Sequence, residues 1–188
     1  MKISLTDKVA LVTGSAHRVG KAIAVALAKE GVHVVVHYNG TDPDTVRDTV
    51  QDIKSEGVDA ISVQCDISDP NEIPKLMDAI KDHFGKLNIL VNSASVFPTQ
   101  NFMDISLEDW DLTMNVNLRA PFILTQQASR MMRDTVDGKG AIVNICDQGA
   151  FAPWPKRPHH GISKYALWML TQVSAVSLAP NIRVNAVV

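Results

Sequence analysis

The sequence predicts an α/β fold, a doubly wound parallel sheet with helices on both faces, and three observations carry that prediction. Short β-branched runs alternate with helix-length stretches along the whole chain. The strand runs are apolar almost throughout, the pattern of strands buried on both faces. Aromatic residues are only 5% of the chain against 46% hydrophobic residues, so Val, Ala, Leu and Ile must build the core.

Residues 9–13 (VALVT) open the pattern as a first strand, and an Ala-rich helix with 3.6-residue spacing follows over 19–30. Residues 32–37 (VHVVVH) make the second strand, and 45–56 the second helix. A third strand at 60–64 leads into a helix over 71–84; a fourth at 87–91 leads into one long helix over 107–132. After the fifth strand at 141–145, the Pro-rich stretch 153–158 reads as a loop on the ligand side. A helix over 163–178 and a sixth strand at 182–187 complete the series. No Pro/Gly-rich linker divides the chain, so residues 1–188 form a single domain. Val188 falls inside an apolar strand with no turn signal after it, which predicts a domain that is incomplete at this point.

The formal charge of −2, with Lys and Arg scattered, excludes a basic field for nucleic acid or anionic membrane. The opening Met1 to Leu5 is too short for a leader, and no apolar run nears the roughly 20 residues that span a bilayer. Cys65 and Cys146, both flanked by strand-like sequence, read as buried reduced thiols of a cytoplasmic protein, with a disulfide the weaker alternative. His159-His160 stands apart from any Cys/His cluster with ligand spacing, so no metal is expected.

Between the first strand and first helix lies Thr13-Gly14-Ser15-Ala16-His17-Arg18-Val19-Gly20. A dinucleotide fold of the Rossmann type needs a tight turn there, with backbone N–H groups and a helix N-terminus facing a pyrophosphate. Gly14 serves the turn, Gly20 the close helix packing, and Arg18 replaces the middle glycine. After the second strand comes His37-Tyr38-Asn39, where an NAD-preferring fold places an acid on the ribose. The missing acid, together with Arg18, favours NADP(H) over NAD(H). The alternative is that His37 caps the strand end and Arg18 pairs with a surface acid. Asp66, before Ile67, either accepts from the adenine amino group or caps the following turn. Asn92-Ser93-Ala94 supplies small residues near the nicotinamide ribose.

In these segments the chain resembles the short-chain dehydrogenase/reductase family over essentially its whole length. Thr13-Gly14…Gly20, Asp66, Asn92-Ser93-Ala94, Asn117, Lys164 and the closing Arg183-Val184-Asn185-Ala186-Val187 carry the likeness. Within the family it is most similar to the pteridine reductases, through Arg18, His37-Tyr38 and Ala94-Ser95-Val96-Phe97. That resemblance implies hydride transfer from NADP(H) to a C=N or C=O group of a pterin-like or small carbonyl substrate, in a dimer or tetramer. It implies Ser95 and Phe97 at the substrate, with Phe97 stacked on a flat ring; plain packing under a loop is the alternative. It also implies a Pro-Gly turn, a substrate-covering segment and a C-terminal strand after residue 188.

The family's chemistry uses a Ser or acid after strand five, a Tyr, a Lys four residues later and an Asn that orders a relay water. Asp147, Lys164 and Asn117 match, but His160 stands where the Tyr belongs, thirteen residues after Asp147 and four before Lys164. Tyr165 points about 100° away around the same helix. His160 is then a general acid beside Asp147, or an inert replacement in a cofactor-binding protein that does not turn over, or a Tyr→His change in an ordinary enzyme. Surplus apolar residues Met131, Met132, Trp168, Met169 and Leu170 fit burial between subunits or against the sheet.

Overall fold

The computed structural model describes residues 4–135 and 137–188; the opening Met1 to Ile3, part of the stretch judged too short for a leader, lies outside them. Six parallel strands, β1 (Val9–Val12), β2 (His33–Tyr38), β3 (Ala60–Gln64), β4 (Ile89–Asn92), β5 (Gly140–Ile145) and β6 (Ile182–Val187), form one sheet. Their order is β3-β2-β1-β4-β5-β6. The order reverses between β1 and β4, which opens a crevice at the carboxyl ends of those two strands.

Alternation along β1 explains the two-sided cover. Val9 and Leu11 face a core built with α3 (Ile73–Phe84), α5 (Ala120–Arg133) and the end of α6 (Pro158–Leu178). Ala10 and Val12 face the other core, with α1 (Arg18–Lys29) and α2 (Pro43–Ser55). Strand and helix ends depart from the expected ones by a residue or two, as ends do.

Two elements differ by more. The helix expected over 107–132 is α4 (Leu107–Met114), a π turn (Asn115–Arg119) and then α5. Pro121 has no N–H for the carbonyl of Asn117 four residues back, so the α-helical ladder cannot run through this point. Of the apolar residues expected between subunits or against the sheet, Met132 takes the second place, in the core with Leu124 and Ala128. The last helix begins at Pro158, five residues earlier than expected, because proline is suited to a first helical turn whose N–H groups lack partners. This puts His160 on a helix, one turn before Lys164 on the same face.

Cys65 and Cys146 are both free and buried, and burial pushes the Cys65 thiol up to about 11. Among the described residues no helix is long and apolar enough to cross a membrane.

Candidate active site

A cavity of about 630 Å³ lies in the crevice, within the range of small-molecule sites. Its floor is the turn after β1, and its walls are the ends of β2 (Tyr38, Asn39), β3 (Asp66, Ile67) and β4 (Ser93, Ala94, Ser95). Gly14 adopts φ +64°, and a Cβ there would stand 2.9 Å from the Ala94 Cα, closing the gap between turn and wall. A Cβ on Gly20 would run into the Gly14 carbonyl. The helix that starts here, α1, has no side-chain cap and no acid in its first turn, whereas α2 is capped by Asp42. Uncapped N–H groups beside a glycine turn suit an anion, so the residues present fit a pyrophosphate.

The side chains around the turn divide into those that face the cavity and those that build it. Arg18, Val19 and Asn39 face it; Arg18 makes no ion pair among the described residues. Ser15 does not line it: the side chain is buried and its hydroxyl donates to the Val12 carbonyl at 2.7 Å. Asn92, expected near the nicotinamide ribose, is likewise inside the sheet, its amide donating to Asn144 Oδ1 at 2.8 Å. A short polar side chain at a buried strand end bonds to the adjacent strand before it can reach a ligand. His37 is at the cavity wall, yet both ring nitrogens are held by protein, by Gly14 N at 3.1 Å and Cys65 O at 3.0 Å. The ring therefore has no free hydrogen-bonding edge for a ribose. Asp66 accepts from Ser68 N at 2.9 Å, the turn-capping alternative, and also lines the cavity.

Past Val96, at the edge of the cavity, Asn117, His160 and Asp147 come together, and Lys164 follows one helical turn after His160. His160 Nε2 lies 2.6 Å from Asp147 Oδ2, and His160 Nδ1 lies 3.2 Å from the Val96 carbonyl. A carboxylate thus faces one ring nitrogen, and a carbonyl together with the Asn117 amide nitrogen, at 3.4 Å, faces the other. Asp147 is held in turn by the Gly149 N–H on its Oδ1 at 2.9 Å. Lys164 is buried and donates to the Ile145 carbonyl at 2.8 Å. Burial holds its ammonium below the usual lysine range, while Asp147 and the Cys146 thiol pull the other way. Tyr165 points elsewhere, against Phe151 and Trp168.

Asn117 needs the largest revision. Its side chain is fully buried and has no capacity left for a relay water. Oδ1 accepts from Val96 N at 2.9 Å and Ser95 Oγ at 3.1 Å; Nδ2 donates to Val96 O at 3.1 Å and Ser163 Oγ at 3.0 Å. All four hydrogen-bonding positions of the amide are occupied by protein. Asn117 thus joins the π turn to the segment after β4 and to α6.

Phe97 is 47% exposed, and the Arg157 guanidinium covers one face of its ring at 3.6 Å from the centroid. Arg157 also donates to the Phe97 carbonyl. Phe97 meets His160 edge-on at 4.4 Å, and Trp154 lies parallel to His160 at 6.2 Å. That spacing is too narrow to admit a further ring between them, so a planar group cannot sit between Trp154 and His160.

Several contributors are absent from the expected set. Thr13 Oγ1 accepts from both Ser93 N (2.9 Å) and Ala94 N (3.0 Å), tying the turn to the opposite wall. Thr49 on α2 donates to the Ala16 carbonyl at 2.7 Å and steadies the turn from behind. Thr13 sits in the turn motif itself, and Trp154 and Arg157 lie in the Pro-rich stretch expected on the ligand side, but nothing in the local pattern marks Thr49.

A family model described as short chain dehydrogenase matches residues 8–188. The glucose 1-dehydrogenase 2 of Bacillus subtilis (strain 168) is 36% identical over 186 residues, 97% of this chain and 71% of that protein. Versicolorin reductase stcU of Emericella nidulans is 35% identical over 184 residues, 97% and 68% of the two chains. Among solved structures, FolM alternative dihydrofolate reductase 1 from Brucella canis, complexed with NADP, superposes with a TM-score of 0.89 at 34% identity, over 97% of this chain and 71% of that one. An NAD+-bound xylitol dehydrogenase gives 0.89 at 29%, over 98% and 70%. With a match of that breadth and a cavity that suits a pyrophosphate, the chain belongs to the short-chain dehydrogenase family of nicotinamide-dinucleotide oxidoreductases.

Proposed function

We propose that the protein is an NADP(H)-dependent reductase acting on a C=O or C=N group, in a pterin-like ring or a small carbonyl compound. The observation that carries this reading is the 2.6 Å contact between His160 Nε2 and Asp147 Oδ2, a proton-sharing pair at the position of the family's Tyr. When bound, the nicotinamide supplies the hydride and is oxidised as the substrate is reduced. Asp147 is the accessible member of the pair, with a side chain 30% exposed against 2% for His160. The proton shared between His160 Nε2 and Asp147 Oδ2 leaves through the carboxyl to the substrate oxygen or nitrogen, directly or through a water, which leaves a carboxylate and a neutral imidazole with its hydrogen on Nδ1. Solvent then restores His160. Lys164 holds the ribose and adds positive potential. Phe97 offers a planar substrate the face opposite Arg157.

The preference for the phosphate-bearing cofactor rests on Arg18 at the cavity mouth and on the missing acid after β2. The Brucella canis relative, named a dihydrofolate reductase and solved with NADP, supports both the cofactor and the pterin-like ring.

The test is oxidation of NADPH with dihydropterins, quinones and small carbonyl compounds from pH 5 to 9. Turnover should fall as pH rises, because an acid works only while protonated, and His160→Phe should lower kcat by about 100-fold or more. Tight NADPH binding without turnover on any of these, with activity appearing in His160→Tyr, would sink the reductase reading. A second reading, dinucleotide binding without catalysis, is favoured by one observation: His160 is almost fully buried, with each ring nitrogen already at a protein acceptor.

The partner expected is a second copy of the chain, with neither nucleic acid nor membrane. An apolar stripe on α6 (Ile162, Tyr165, Met169, Val173, Val176) stays exposed and supports assembly as a dimer or tetramer through that helix.

A further inference from the structure

His37 lies at the end of β2, buried between the glycine turn and the end of β3. Its two partners dictate its chemical form. The Gly14 backbone N–H, 3.1 Å from Nδ1, has only a hydrogen to offer, so Nδ1 must carry a lone pair. The Cys65 carbonyl, 3.0 Å from Nε2, has only lone pairs, so Nε2 must carry the hydrogen. The ring is therefore the neutral Nε2–H tautomer, and it joins the first residue of the turn to the far strand. The backbone strengthens the same junction: Ser15 N donates to the His37 carbonyl at 3.0 Å, and Cys65 N to the Tyr38 carbonyl at 2.9 Å.

We propose that His37 is a positioning residue that sets the shape of the phosphate turn, and that a proton on its Nδ1 releases the turn and weakens dinucleotide binding. A protonated Nδ1 would put an N–H against the Gly14 N–H, so the turn loses the contact that holds Gly14 at its left-handed φ. The proposal rests on dinucleotide binding alone and stands whether or not the bound cofactor is turned over.

The groups around the ring set the direction of its titration. Asp66, next to Cys65, favours the charged ring, as does the Cys65 carbonyl; burial opposes both and wins, so His37 is held below the usual imidazole value of 6.5. The Cys65 thiol stays neutral across the working range. From the turn, His17 and the Arg18 guanidinium share the cavity with the ring, and Tyr38 follows it on β2. The unfolded chain accepts the proton first as pH falls through 6.5, so the folded turn is lost on the acid side and retained above it.

The test measures NADPH and NADH affinity by fluorescence titration from pH 8 to 5 for wild type, His37→Asn and His37→Phe. Asparagine places an oxygen close to the Nδ1 position and can accept from Gly14 without taking a proton; phenylalanine fills the space and accepts nothing. Wild-type affinity should fall about tenfold more than that of His37→Asn over this range, for both cofactors. The 2′-phosphate of NADPH ionises near pH 6 (~6) and contributes equally to both proteins, so the difference isolates the ring. His37→Phe should bind about tenfold more weakly at pH 8, with no acid limb of its own. Parallel pH profiles for wild type and His37→Asn would overturn the proposal. So would an Nδ1–H tautomer in the imidazole 15N spectrum of the cofactor-free wild type at pH 7, a measurement that needs no variant to fold.

Discussion

Arg18 carries two opposed demands on one residue. Its φ of +53° is a left-handed conformation that an L side chain enters at a cost of about 1–2 kcal/mol. The position in the turn explains why a glycine suits it, and the exposed cation at the cavity mouth explains what the arginine contributes instead. Arg18→Gly should therefore raise stability by about 1 kcal/mol in denaturant melts while lowering the NADPH-to-NADH affinity ratio by about tenfold or more. An unchanged ratio would remove Arg18 from cofactor selection. At the same scale, Asn117 and His37 show how a polar side chain placed at a site by its sequence position can be taken up entirely by protein. The Asn117 side chain has no hydrogen-bonding position left for water, and the His37 ring none for a ribose. Both were legible as site residues from the motif. Their roles were not, because the groups that occupy them come from chain segments 21 to 46 residues away in one case and 23 to 28 in the other.

At the scale of elements, the cavity depends on how β1 is joined to β4. Thr13 is the tie, its hydroxyl receiving two wall N–H groups. Thr13→Val keeps the shape and leaves both N–H groups without that acceptor. The expected loss is about 2 kcal/mol, read as a lower denaturation midpoint at constant m-value. Cofactor affinity should fall with it, since Ser93 and Ala94 form the wall. The break between α4 and α5 belongs to this scale too. Hydrophobic periodicity runs on through residues 107–132 and predicts one helix, while Pro121 inside it marks the break, a signal that periodicity alone overrides. The early start of α6 has the same origin: Pro158 closes a Pro-rich stretch by composition but opens a helix by geometry.

At the scale of the whole molecule, the stripe along α6 is exposed, as are the apolar residues Leu112 on α4 and Phe122 on α5. If these faces pair, light scattering should give the mass of a dimer or tetramer. A charge in the stripe, Met169→Glu or Val173→Lys, should shift that mass toward the monomer while leaving NADPH affinity within about twofold. A monomeric wild type would end the proposal. The sequence by itself determined the order of strands and helices, the two-faced core and the place of the turn, because apolar spacing and glycine and proline preferences act within a few residues. Only the tertiary structure decided which polar side chains remain free for a ligand. Hydrogen-bond partners such as Gly14 for His37, Asn144 for Asn92 and Asp147 for His160 are brought together by the sheet, and a buried polar group bonds to whatever donor or acceptor the fold sets beside it.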